Sequence, residues 1–191
     1  IRQTMEELAE VDAAPTWVLS NHDVVRHATR YGGGPVGVAR ARAATLAMLA
    51  LPGSAYLYQG EELGLPEATE LPDDSLQDPT WERSGHTLRG RDGCRVPIPW
   101  VGDAPSYGFG PSEESWLPQP AAFADLAVDR QDGVEGSTLE LYRTLLRLRR
   151  ELRLGRGQLS WVDLGKNVLS FAITSGSTTI RIRKPGRRTS T

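Results

Sequence analysis

Apolar residues recur along this chain at two spacings, and the order in which the spacings alternate predicts its architecture. In residues 4–11 (TMEELAEV), Met5, Leu8 and Val11 fall at helical spacing among good helix formers, and Pro15 stops the helix. Residues 16–20 (TWVLS) form a short, mostly apolar run with β-branched and aromatic side chains, the pattern of a buried strand. That run ends in the polar cluster Asn21-His22-Asp23. After the glycine-rich loop 31–35 (YGGGP), residues 36–51 are alanine-rich with a few apolar anchors and read as a helix closed by Pro52-Gly53. Residues 54–59 (SAYLYQ) read as a second buried strand, ending in Gly60-Glu61-Glu62. Helix, strand, helix, strand, with polar residues after each strand, is the order of parallel α/β architecture.

Residues 63–136 break the pattern. Little periodicity is sustained there, and most of the prolines fall there. A loop excursion of this length is uncommon in compact domains and is usually functional or disordered. Trp81, Trp100, Tyr107, Phe109, Trp116 and Phe123 argue against disorder, and a short helix is expected around 123–128. The clearest helix covers 137–154. Ser137 and Glu140 make a Ser-x-x-Glu capping box, and Leu141, Leu145, Leu148 and Leu152 form one stripe with Tyr142 and Leu146 beside it. Arg143, Arg147, Arg150 and Arg153 lie largely on the other face, and Gly155 is the expected stop. Three β-like runs follow, at 158–163, 167–173 and 177–183. Gly165-Lys166-Asn167 and Ser175-Gly176-Ser177 supply the turns, as at the start of an antiparallel meander. The basic last residues (RIRKPGRRTST) lack an apolar pattern and are expected to be a frayed or non-native tail.

Composition sets bounds on this picture. The 191 residues can bury a sizeable core. They fall short of the ~250 typical of a complete eight-stranded (β/α) barrel. A 39% hydrophobic and 24% charged composition is that of a globular protein. With 22 Lys+Arg against 24 Asp+Glu, the net charge of -2 gives no reason to expect a nucleic-acid or membrane partner. The single cysteine, Cys94, excludes a scaffold built on internal disulfides. The chain opens on Ile1 and not on methionine, so its true start is expected upstream, and the lack of a targeting segment carries no weight. The cytoplasm is the expected compartment.

The first candidate for chemistry is Asn21-His22-Asp23 at the C-terminal end of a strand. A carboxylate beside an imidazole can bind sugar hydroxyls or stabilise the positive charge of an oxocarbenium-like transition state. Taken alone, the three residues read better as a capping aspartate beside a hydrogen-bonded loop histidine. A divalent-metal site with His27 and His86 is a further alternative, weakened by a supply of only three histidines and one cysteine.

The motifs are more specific together. Residues 17–23 (WVLSNHD) resemble the seventh strand of the α-amylase family of glycoside hydrolases, and residues 54–64 (SAYLYQGEELG) resemble its eighth. Residues 91–100 (RDGCRVPIPW) resemble a segment of the α-glucosidase and oligo-1,6-glucosidase branch. Residues 21–31 (NHDVVRHATRY) are similar to actinobacterial α-glucosidases, and the late helix, with Leu141-Tyr142 ahead of Leu145-Leu146 and Leu148-Arg149, resembles the family's final barrel helix. The resemblance implies an α/β fold in which 1–155 are the C-terminal part of a (β/α)8 TIM barrel. These would be its last two βα units, with a long loop after strand 8. Residues 156–191 would be the start of an antiparallel all-β C-terminal domain.

It also implies roles. Asp23 matches the family's third catalytic carboxylate, which grips glucose hydroxyls and stabilises the transition state without attacking the sugar. His22 matches a histidine that contacts the same ring, and Arg91 an arginine that reaches the glucose of the innermost subsite. Asn21 and Arg26 are further substrate-binding candidates, Arg26 reading at least as well as a solvated charge at a helix start. Glu61 and Glu62 do not match the catalytic acid and are expected to anchor the loop or cap a helix. Trp81, Arg83 and His86 lie in the loop expected to border the acceptor side, where Trp81 reads better as packing.

Retaining glycosidases need a nucleophilic carboxylate and a general acid ~5–5.5 Å apart. In this family both precede the region that Asn21-His22-Asp23 resembles, and too few residues stand ahead of Thr16 to hold either. The chain is therefore expected to be a portion of a retaining α-glucosidase acting on terminal α-linked glucose of malto- or isomalto-oligosaccharides, inactive alone. A trehalose synthase or other transglycosylase, or a non-catalytic carbohydrate-binding or assembly homologue, are the alternatives. The expected partners are an oligosaccharide and the missing N-terminal part of the same barrel. No nucleic acid, no membrane and no cofactor are expected for this chain, and a calcium site upstream is left open.

Overall fold

The helical spacing at the start of the chain produces α1 (Arg2–Ala9), which begins and ends two residues earlier than the spacing indicates and buries none of its side chains. The apolar runs produce β1 (Thr16–Val18) and, beyond α2 (His27–Arg30) and α3 (Gly34–Ala50), β2 (Ser54–Tyr56). β1 and β2 pair in parallel, with Trp17 opposite Ala55. This is the expected strand–helix–strand order. The strands are shorter than expected, however, and are not buried: Val18 is 47% and Tyr56 67% exposed. In a two-stranded sheet each strand has a single neighbour, so side chains on the alternate face find little to pack against.

This computed structural model describes residues 1–166 and 168–184, and the chain divides into two compact units. The first takes in 1–18, 43–56 and the chain from 143 onward; the second takes in 19–42 and 57–142. Asn167 of the expected turn and residues 185–191 lie outside the described residues, while the first four residues of the tail expected to fray, 181–184, instead complete β5 (Thr178–Lys184), where β4 (Leu169–Ser175) supplies their backbone partners.

The first unit is organised by an antiparallel meander of β3 (Gln158–Trp161), β4 (Leu169–Ser175) and β5 (Thr178–Lys184), close to the three expected runs. The register puts Trp161 opposite Phe171 and Ile173 opposite Ile180. β4 is central and is buried from Ser170 to Ile173. Phe171 and Ile173 join Ala50, Leu51 and Leu154 in one apolar cluster, against which Trp17, Leu159 and Ile182 pack.

Between β2 and β3 the described chain forms four α-helices, α4 (Pro79–Arg83), α5 (Asp92–Arg95), α6 (Val128–Gln131) and α7 (Thr138–Glu151), together with short 3-10 turns. One of these turns, at Ala121–Leu126, leads into α6, where a single short helix around 123–128 is expected. The long excursion is ordered around its own core of Leu63, Leu65, Leu71, Val96, Ile98, Leu117, Phe123 and Leu139. At the start of α7, Ser137 Oγ accepts the Glu140 N–H (3.2 Å), one half of the capping box, while Glu140 Oε1 accepts the Gly133 N–H (3.1 Å). α7 ends at Glu151, ahead of Arg153 at φ 51°, and not at Gly155.

Arg149, four residues past Leu145, lies at the edge of the leucine stripe and not among the arginines of the other face. Its guanidinium donates to Leu49 O and Leu51 O (both 2.7 Å) and to Gly53 O (2.5 Å). These are carbonyls at and just past the C-terminus of α3, which have no partner within the helix. Beside them Gly53, at φ +96°, donates its N–H to Gly155 O (2.8 Å). Arg149→Ala leaves three carbonyls to be rehydrated and is expected to lower stability by about 2 kcal/mol in urea denaturation. Arg149→Lys is expected to recover less than half of that, because an ammonium lacks the planar fork.

Candidate active site

The site lies within the second unit. It begins where the chain leaves β1. Ser20 Oγ accepts the His27 N–H (2.9 Å) and is hydrogen-bonded to His27 Nδ1 (2.8 Å), tying the two ends of the segment 20–27 together. Arg30 donates to Leu19 O (2.6 Å) and Val25 O (3.2 Å). Asn21 Oδ1 accepts the Asp23 N–H (2.8 Å), an Asx turn that an asparagine two residues before the bend readily forms. With its backbone fixed, the loop presents His22 and Asp23 outward, their side chains 68% and 49% exposed, His22 Nε2 lying 3.4 Å from Asp23 Oδ2.

Two arginines from the RDGCR segment reach this carboxylate. Asp23 Oδ1 accepts from Arg91 NH1 (2.8 Å) and from Arg95 NH2 (3.3 Å). Arg95 Nε also donates to His22 O (2.9 Å). The Arg91 guanidinium holds the Asp23 carboxyl below the usual carboxylate range, with smaller help from His22 and Arg95. The structure thus brings together Asn21, His22, Asp23 and Arg91, residues separated by up to 70 positions in the sequence.

Arg26 goes elsewhere. It is buried, neither a solvated charge nor a group open to solvent, with its guanidinium donating to Gln59 O (2.8 Å) and Cys94 O (2.9 Å) over the Tyr58 ring. Its backbone N–H donates to Glu67 Oε2 (2.8 Å). Burial pulls the Arg26 pKa down. Glu61 is also buried, its Oε2 3.8 Å from His27 Nδ1 and its Oε1 accepting from the Tyr142 hydroxyl (3.4 Å). Burial pushes the Glu61 carboxyl up to about 7 and the His27 imidazole down to about 4. The His86 ring stacks on Trp81 with centroids 4.7 Å apart, and His86 Nε2 lies 3.2 Å from Glu82 Oε2. The three histidines therefore stand in three different surroundings. Among the described residues, no group of three His, Cys, Asp or Glu side chains is placed to hold a metal ion.

Sequence reading misses the residue that ties the arginines down. The Asp78 side chain is fully buried. Its Oδ2 accepts from the Arg91 Nε (2.5 Å) and the Arg91 backbone N–H (2.9 Å). Its Oδ1 accepts from Arg91 NH2 (3.3 Å) and from the Thr80 N–H (2.9 Å), the latter making Asp78 the N-cap of α4. Asp92 Oδ2 in turn accepts the N–H groups of Gln77 (2.6 Å) and Asp78 (2.8 Å). The Arg91 guanidinium holds the Asp78 carboxyl far below the usual range, and Asp78 and Asp23 raise Arg91 above its own. The Asp-Pro-Thr sequence at 78–80 marks a helix start, since an aspartate N-cap precedes a proline at the first helical position. Nothing in that pattern shows that the same carboxylate faces Arg91.

A loop carrying His and Asp beyond a parallel strand, met by arginines from the long excursion, defines a member of a known class. The α-amylase catalytic-domain family matches residues 1–156, and the chain belongs to that family. A probable alpha-glucosidase of Rhizobium meliloti (strain 1021) is 37% identical over 187 residues, covering 92% of this chain and 33% of the relative. Maltase 1 of Drosophila virilis is 32% identical over 160 residues, covering 82% of this chain and 24% of the relative. Among solved structures, the alpha-glucosyl transfer enzyme XgtA superposes with a TM-score of 0.79 at 35% identity, covering 95% of this chain and 35% of that one. The trehalulose synthase MutB from Pseudomonas mesoacidophila MX-45 shares the fold, with a TM-score of 0.78 at 22% identity and coverage of 95% and 37%. The chain thus spans about a quarter to a third of the length of these curated relatives. Its parallel α/β portion is part of the family's TIM barrel, and its three-stranded sheet is consistent with a C-terminal β-domain. No described helix is long and apolar enough to cross a membrane.

Proposed function

We propose that this chain supplies the glucose-binding wall of a retaining α-glucosidase acting on terminal α-linked glucose of malto- or isomalto-oligosaccharides. The observation that carries this reading is the Asp23 carboxylate, half-exposed beside His22 and braced from behind by Arg91. Oδ1 is taken by the two guanidiniums, which leaves Oδ2 and the His22 imidazole to receive sugar hydroxyls. A carboxylate kept ionised there stabilises positive charge developing on the ring, an interaction stronger in the transition state than in the ground state. Asn21 acts through the backbone turn that aims Asp23, and Arg26 as an internal strut. Residues 1–155 are assigned to the barrel and 156–191 to a C-terminal β-domain. The nucleophilic Asp and the acid Glu belong to an N-terminal part of the barrel, the partner this chain needs. No cofactor is assigned to it.

Transfer of glucose to a sugar acceptor in place of water is the second reading, favoured by the 35% identity to an alpha-glucosyl transfer enzyme. The test is release of p-nitrophenol from p-nitrophenyl α-glucoside by this chain, by the N-terminal two thirds of the Rhizobium meliloti relative, and by the two combined. Release by the combined pair alone is the expected result. Release by this chain alone would place the bond-breaking pair among Asp23, Glu61 and Glu62. Association of the two pieces without activity would favour a non-catalytic role. The ratio of free glucose to longer glucosides separates hydrolysis from transfer.

A further inference from the structure

We propose that Asp78 is the positioning residue of this site, the buried anchor that sets where the Arg91 guanidinium meets Asp23 and the sugar. The proposal rests on the roles given above to Asp23 and Arg91.

Arg91 is partly exposed and carries a long stem, so Asp23 alone would leave it many rotamers. Asp78 removes that freedom by holding the residue at both ends. One carboxylate oxygen takes the Arg91 backbone N–H and the Nε, and the other takes NH2. With Nε and NH2 engaged, NH1 is the part of the fork directed at Asp23 Oδ1. Asp78 is itself clamped. Asp92 holds its backbone N–H, and the Thr80 N–H holds its Oδ1. Gly90 lets the two segments close up: a Cβ there, at φ +73°, would stand 2.7 Å from the Asp78 Cβ and Cγ. The buried carboxylate also balances charge. Asp78 and Asp23 share Arg91 and, more distantly, Arg95. Without Asp78, both guanidiniums would be free to close on Asp23 and cover Oδ2, the oxygen that meets substrate.

Two measurements test this. In the chain itself, NMR of arginine side chains reads how fast each Nε–H exchanges with solvent. The Arg91 Nε–H is expected to exchange at least about tenfold more slowly than that of the exposed Arg147, because opening must first break the Asp78 bond. Equal exchange rates overturn the proposal, and this arm needs neither activity nor a variant. In the combined pair, Asp78→Asn is expected to lower kcat/KM by about 100-fold, the scale of a misplaced binding group. In an Arg91→Ala background the same change is expected to cost less than about threefold, since the group it positions is gone. Losses that simply multiply would show Asp78 to be only the cap of α4 and would sink the inference. Full activity of Arg91→Ala would instead overturn the underlying reading of the site, while an impaired Arg91→Ala beside an unimpaired Asp78→Asn overturns the role of Asp78 alone.

Discussion

Asp23→Asn is expected to lower kcat on p-nitrophenyl α-glucoside by about 10³-fold in the combined pair while changing KM by less than about tenfold. The amide keeps the shape of the carboxylate, its place on the Asx turn of Asn21 and an oxygen for Arg91 NH1. Hydroxyls of a neutral sugar can still be bound. What disappears is the negative charge, and that charge matters most when the ring becomes cationic. Arg91 lowers the Asp23 carboxyl below its ordinary value, so the acid limb of the pH–rate profile of the unaltered pair is expected to report another group. Should KM rise and kcat stay unchanged, Asp23 would contribute uniform binding and no transition-state stabilisation.

Glu61→Gln is expected to raise the stability of the chain by about 3 kcal/mol at pH 8 and by little at pH 4, the equivalent of the upward displacement of a buried carboxyl. The Glu61 carboxyl moves from 4.5 to about 7 because burial penalises its charged form, outweighing the Tyr142 hydroxyl and Arg26 nearby. Between those values the folded chain binds more protons than the unfolded one, so this group's contribution falls as pH rises from 4.5 to about 7. His27 moves the other way, from 6.5 to about 4, through burial and the nearby charges of Arg30 and Arg26. Its folded form binds fewer protons, so its contribution rises with pH from about 4 to 6.5. The two slopes nearly cancel between 4.5 and 6.5. The unaltered chain should show a flat pH dependence there, and Glu61→Gln should expose the rising limb of His27. Urea denaturation at half-unit pH intervals reads both. A variant whose curve runs parallel to that of the parent would refute the assignment of Glu61.

The parallel pair and the polar cluster after β1 were legible because each is local: a short apolar run, then Asn-His-Asp. The meander was legible for the same reason, with turn residues between alternating runs. Order in the 63–136 excursion was also legible, but from the wrong residues. Trp100, Phe109 and Trp116 remain exposed, and aliphatic side chains such as Leu65, Val96 and Leu117 form the core beside Phe123. Burial of β1 and β2 was not legible, since an apolar run does not reveal how many neighbouring strands cover it. Arg26, Arg149 and Asp78 escaped for a common reason. An isolated charged residue in a sequence reads as solvated. The groups that make its burial tolerable here are backbone carbonyls or guanidine nitrogens brought in by topology, such as Cys94 O for Arg26 and Leu51 O for Arg149.

The span between Asp23 and Arg91 has an entropic consequence. Joining groups 68 residues apart costs more chain entropy than the seven-residue closure at Ser20 and His27. With a logarithmic dependence on loop length, the difference is about 2 kcal/mol. The chain meets this cost in stages. Glu67 is tied to Arg26 and Thr29 across 41 and 38 residues, and Asp78 to Arg91 across only 13. Once those smaller rings are closed, the final bond to Asp23 joins ends that already lie near one another, and most of its ordering cost is borne by contacts away from the exposed His22 and Asp23 side chains.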